Sequence, residues 1–249
     1  MEKTELSSYL EERGISILNS KILKDKNINE LDIYKQIDNI MLFHEKIGQY
    51  KENLIPRIGS SIGKEVNNYY SYIFILSNYL NKLKLKENLN SIDFYLLDRG
   101  EVLVNLGKNS LNHIKINNYR DLIKRSMKNY EVCLTRVDEG NLNFDDNKIK
   151  IGSTRYLTYN LREHDIYSYI KRVKRREIKL NIENVIDYFI NRSNLGSPSK
   201  EYLRALAAYP NEELRLISKY ILRKITLSEE EIINNLYKAR EIDNKGIII

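Results

Sequence analysis

The chain predicts a mainly α fold with a small β-hairpin, and three observations lead there. Its 249 residues contain three prolines and ten glycines. So few helix breakers favour long helices over a turn-rich sheet protein. Apolar residues recur at steps of three and four along most of the length, the rhythm of amphipathic helices. One strand–turn–strand pattern interrupts it, in EVCLTRVDEGNLNFDDNKIKIG at residues 131–152.

Residues 4–13 predict a short helix ended by Gly14, and ISILNSKILKDKN then reads as a strand or an irregular lead-in. Residues 29–46 repeat Leu31, Ile33, Ile37, Ile40 and Leu42 behind a polar N-cap, which predicts a helix. A long helix is expected over 60–85, with Ile62, Val66, Tyr69, Ile73, Leu76, Leu80 and Leu83 as one buried stripe. Helices follow over 93–106 and 119–127. The strand pair comes next, EVCLTR leading into a polar loop and the FDDN turn into KIKIG. Residues 153–162 read as irregular. A helix opens near His164-Asp165, and four more are expected at 182–193, 198–209, 211–224 and 228–241. Pro198 suits a first turn, and Ser228 with Glu231 makes a capping box.

Composition narrows the function classes. Hydrophobic residues at 42% and charged residues at 30% are ordinary for a globular domain with a proper core. No apolar run approaches ~18 residues, so no membrane span is expected, and the charged N-terminus lacks a secretory signal's apolar core. A single cysteine, Cys133, excludes an internal disulfide and reads as a core residue. The formal charge of +7 invites a nucleic-acid hypothesis. However, the densest basic run, KRVKRREIK at 171–179, closes a predicted helix, where cations suit the macrodipole. The histidines, His44, His113 and His164, sit on separate segments, and no second ligand lies at metal spacing. SSIG at 60–63 reads as a helix start, a weak anion signal.

Anchored on Asn141, residues 131–152 resemble the catalytic loop of phosphotransferases of the aminoglycoside and choline kinase type, which carry H-G-D-x-x-x-x-N and then I-D-F. In that register Leu134 stands at the His, Arg136 at the catalytic Asp, and Gly152 and Ser153 at the metal-binding Asp and its Phe. Three further segments are similar, in order, to the CotS-like spore-coat branch of the aminoglycoside phosphotransferase superfamily. They are IDNIMLFHEKIGQY at 37–50, REHDIYSYIKRVKRR at 162–176, with Asp165 at the Asp that opens a helix, and LRALAAYPNEELRLISKYI at 203–221. The resemblance spans residues 37–241, about four-fifths of the chain.

It implies a protein-kinase-like C-lobe over 37–249, preceded by residues 1–36 as a remnant too short for a complete N-lobe. That stretch has no G-x-G-x-x-G, and Lys21, Lys24 and Lys26 have no sheet to aim them at a phosphate. Phosphoryl transfer needs a carboxylate for the acceptor and oxygen ligands for Mg2+. A guanidinium at Arg136 accepts no proton, and Gly152 offers no ligand. Asp138 precedes Asn141 by three residues instead of five, and Asp145-Asp146-Asn147 reads as a hairpin turn. The resemblance also implies that Asp165 accepts backbone N–H groups of the loop; from the residues alone, a plain N-cap is the alternative. Arg136 is expected to pair with Asp138, Glu139 or Asp165.

The expectation is a non-catalytic, kinase-like protein with no catalytic residue, cofactor or metal. By resemblance it is made in the mother-cell cytoplasm and acts structurally in the spore coat, with other coat proteins or a second copy as partner. Two alternatives are a divergent kinase using Asp138 and Asn141, and a nucleic-acid binder using Lys171, Arg172, Lys174, Arg175 and Arg176. A regulator that binds a true kinase relative is a third.

Overall fold

The computed structural model describes residues 4–18, 28–176, 178 and 180–249. Lys21, Lys24, Lys26 and Lys179 lie outside the described residues. The chain forms two compact units of two segments each, residues 1–62 with 118–203 and residues 63–117 with 204–249.

In the first unit, Thr4 caps helix α1 (Glu5–Glu12) by accepting the Ser7 N–H. Gly14, at φ +71°, turns the chain into strand β1 (Ile15–Ile17). Helix α2 (Glu30–Ile47) starts at a capping box, with Asn29 and Asp32 each accepting the other's backbone N–H. It runs without a break through residues 36 and 37. Ile33, Ile37, Ile40, Phe43 and Ile47 form its buried face. Leu31, expected on that face, is 70% exposed, because it lies about 200° round the helix from Ile33.

The expected hairpin consists of β4 (Leu142–Asp145) and β5 (Lys148–Ile151), with Leu142 opposite Ile151. Its turn is the pair Asp146–Asn147, both at positive φ, as a tight two-residue turn requires. Phe144 and Asp145, expected in the turn, belong to β4. The hairpin does not stand alone, since β1 adds to β5 in parallel, Ile15 opposite Ile149. A second three-stranded sheet holds β2 (Gly59–Ser60), β6 (Thr158–Tyr159) and β3 (Val132–Cys133) in the order β2-β6-β3. β3 is far shorter than EVCLTR suggests, because the N–H groups of Leu134 and Thr135 leave the sheet for a side chain. Residues 153–162, expected to be irregular, hold β6 and a 3₁₀ turn at Thr154–Tyr156. Helices α5 (Tyr119–Asn129), α6 (Glu163–Lys174) and α7 (Ile182–Arg192) complete the unit, and α8 (Ser197–Ala208) begins in it.

The second unit is helical. The expected helix start at SSIG is replaced by β2 and by Gly63 at φ +78°, so α3 spans Lys64–Leu83. Its buried residues are Val66, Tyr69, Ile73, Leu76, Leu80 and Leu83. Helix α4 (Ser91–Ile116) runs ten residues past the expected end at 106. The expected end falls just before Gly107, which here is a packing position inside the helix. A Cβ there would lie 2.9 Å from Ile73 Cδ1, and one at Gly100 would lie 2.7 Å from Leu80 Cδ2. Two glycines seven residues apart thus let α3 approach one face of α4. Helices α9 (Asn211–Ile221) and α10 (Glu229–Asn244) follow, the latter behind the Ser228–Glu231 capping box. Tyr69 and Tyr209 stack with ring centres 3.7 Å apart, and the Tyr209 hydroxyl donates to the Tyr69 carbonyl at 2.9 Å. Among the described residues, no helix is long and apolar enough to cross a membrane.

Candidate functional site

The segment from β3 to β4, residues 134–141, is a loop whose polar backbone is held from inside the first unit. Asp165, in the first turn of α6 and fully buried, accepts the Leu134 N–H at 3.0 Å and the Thr135 N–H at 2.7 Å. The same carboxylate meets His44 Nε2 at 2.8 Å, so α2 and α6 share one buried hydrogen-bonded group. Thr135 sits at φ +56°, and the Arg136 N–H closes a tight turn onto the Leu134 carbonyl at 2.6 Å. A β-branched residue in that conformation is strained, by about 1–3 kcal/mol, and persists because its neighbours fix it.

The far end of the loop is held likewise. Gln36 of α2, buried, donates from Nε2 to the carbonyls of Val137 and Leu142 at 2.7 and 2.9 Å. Asn141 donates from Nδ2 to the Arg136 carbonyl at 2.7 Å, and the Gly152 N–H bonds the Asn141 carbonyl at 2.9 Å. Hydrogen bonds therefore bring Arg136, Asn141 and Gly152 into one constellation. Behind the loop, Arg125 of α5 grips both Glu131 and Glu163 with paired bonds of 2.7–3.1 Å and donates to Ser199. Burial alone would raise the Glu163 carboxyl, but the Arg125 bonds outweigh it and hold it below its ordinary value.

The side chains facing the loop's outer side are arginines and carboxylates. Arg136 Nε stands 3.4 Å from Asp138 Oδ2, and Arg172 reaches the same oxygen at 3.0 Å. The other Asp138 oxygen accepts the Gly140 N–H at 3.0 Å. Glu139 is taken by the Tyr169 hydroxyl at 2.7 Å and by Arg176 at 2.9 Å. Burial works against its charge, yet these bonds hold it below the usual carboxylate value, while burial beside Glu139 pushes the Tyr169 phenol up. Of the three carboxylates open to Arg136, it meets Asp138.

The basic run 171–176 is largely engaged within the unit. Lys171 lies over the Tyr167 ring at 4.4 Å, and Arg172 and Arg176 hold Asp138 and Glu139. Cys133 is buried, its thiol donating to the Leu161 carbonyl at 2.9 Å, and burial pushes its pKa well up. His44, Cys133 and Asp165 place ligand atoms within 4.8 Å of one another. His44 and Asp165 are bonded to each other, and the Cys133 thiol to the Leu161 carbonyl, so the sequence reading that no second ligand lies near a histidine does not hold for His44. His44, Gln36 and Arg125 were missed as site-holding residues in the sequence. The available signal was helical register, since His44 falls four residues after Ile40 on the buried stripe of α2.

The loop is thus tied by an Asp at the head of a following helix and leads into a β-hairpin. No family model matches the chain, and no curated protein matches it. Among solved structures, it is similar to an aminoglycoside phosphotransferase from Alicyclobacillus acidocaldarius, with a TM-score of 0.63 at 13% identity, over 86% of this chain. The chain spans 62% of that protein's length. At this identity the likeness is one of fold.

Proposed function

We propose that this chain is a kinase-like protein that performs no phosphoryl transfer and acts as a binding or assembly component. One observation carries the reading. The residue whose carbonyl is tied to Asn141, five positions before it, is an arginine paired with Asp138. A permanently cationic guanidinium cannot take an acceptor hydroxyl's proton. Asp138, the nearest candidate to replace it, has both oxygens engaged, by Gly140 N–H on one side and by Arg136 and Arg172 on the other. At the end of β5, Gly152 contributes a backbone N–H and no metal ligand. The resemblance of segments 37–50, 162–176 and 203–221 extends the proposal to a structural role in the spore coat. Synthesis would then be in the mother-cell cytoplasm, with other coat proteins or a second copy as partner.

Thermal unfolding titrated with ATP and Mg2+ tests the reading, because a ligand that binds only the native state raises the melting temperature. No shift at millimolar nucleotide is expected. A magnesium-dependent rise would overturn the proposal and direct attention to Asp138 and Asn141.

A further inference from the structure

On the outer side of loop 134–141, Arg136 and Arg172 bond Asp138, and Arg176 bonds Glu139. Asp138 is shared by Arg136 and Arg172 and also acts on Arg176, which bonds Glu139. Arg155 has no carboxylate partner among the described residues. Instead Arg136 and Arg155 converge on one neutral oxygen, the Tyr156 hydroxyl. Arg136 Nη1 lies 3.0 Å from it, and Arg155 Nη2 is also hydrogen-bonded to it. Their guanidinium carbons lie 5.5 and 4.6 Å from the Tyr156 ring centre.

Two cations held against one phenol repel each other, and a neutral oxygen offsets little of that. The phenol responds, since hydrogen bonds from Arg136 and Arg155 draw its pKa below the ordinary 10. Arg155 is exposed and Arg136 is 24% exposed, so both forks can be reached from solvent. A dianion with several oxygens in a tetrahedral array matches the two converging guanidinium forks.

We propose that Arg136, Arg155 and Tyr156 form an oxyanion site that takes a phosphate monoester or free phosphate. This deepens the non-catalytic reading and rests on it, for the loop then holds a phosphoryl group without transferring one. The test is calorimetric titration of the full chain in EDTA, without nucleotide, at constant ionic strength. The probes are inorganic phosphate and O-phosphotyrosine.

Saturable one-to-one binding is expected, weakened about tenfold or more in Arg155→Ala, which loses a charge-assisted fork without disturbing the core. Tyr156→Phe is expected to keep the affinity within about threefold, because the guanidiniums do the holding. Tighter binding of phosphotyrosine identifies a phosphorylated side chain as the source, and binding of inorganic phosphate alone identifies free phosphate. Either result supports the site. Phosphate that does no better than sodium chloride of equal ionic strength overturns the proposal, as does equal binding by Arg155→Ala. A magnesium–nucleotide shift, measured separately, would overturn the non-catalytic reading and leave the phosphate result to stand by itself.

Discussion

The inner and outer sides of loop 134–141 differ in what they require of sequence. On the inner side buried side chains hold the backbone, with Asp165 on two N–H groups and Gln36 on two carbonyls, and behind the loop Arg125 grips two buried glutamates. On the outer side arginines gather around few anions, and Arg136 and Arg172 compete for one carboxylate oxygen. A buried backbone must be satisfied whatever chemistry the loop performs. The exposed arginine ends carry no such obligation, although Asp138 beneath them is itself buried. The conformation of such a loop is therefore independent of its reactivity.

Four substitutions break or sharpen that contrast, and the largest effect belongs to the inner side. Arg125→Met would leave Glu163 and Glu131 buried without their cation, at a cost of about 3–5 kcal/mol in urea unfolding. It also has a pH signature. In the parent the Glu163 carboxyl lies below its ordinary 4.5, so its stabilisation is full above that value and fades as pH falls through the lower native one. Without Arg125, burial raises that carboxyl, and the acid-unfolding midpoint should move to higher pH. An unmoved midpoint would break the account of this side.

Asp165→Ala is expected to cost about 2–4 kcal/mol, by orphaning the Leu134 and Thr135 N–H groups and the His44 ring. Amide exchange at Leu134 and Thr135 should accelerate ahead of the rest of the unit. On the outer side, Arg136→Asp sets a second carboxylate beside Asp138, and an effect of about 1–2 kcal/mol is expected, with no magnesium–nucleotide shift appearing. A phosphotransferase activity gained by this single change would show that the arginine alone holds the chemistry off. The smallest effect is expected at the hairpin tip. Lys150 pairs there with Asp145 and Asp146 in solvent, and Lys150→Ala should leave the melting temperature unchanged.

What the sequence made legible follows from the range of the forces involved. Local rules placed most helices within a few residues, because caps and apolar rhythm are read over one or two turns. The Asn29 and Ser228 caps are examples. Local rules did not reach the end of α4, where Gly107 packs on Ile73 over thirty residues away, nor the partner of β1, since β5 lies more than a hundred residues on. In the site, the resemblance anchored on Asn141 marked Arg136, Asp138 and Gly152, which lie close to one another in sequence. The identity of Arg136's carboxylate was not legible, nor were the contacts of His44, Gln36 and Arg125. Nor was the meeting of Arg136 and Arg155 on Tyr156. Each of these depends on side chains brought in by separate elements.

The glycine face of α4 sets the travel of its neighbour. Leu80 and Ile73 of α3 each fill a notch that a single methyl would close. Sliding α3 by one turn would lift both side chains out of their notches and onto helix positions that carry side chains of their own. The pair thus has one setting and resists both shear and the gain of a methyl group, which makes α3 and α4 a fixed strut within their unit.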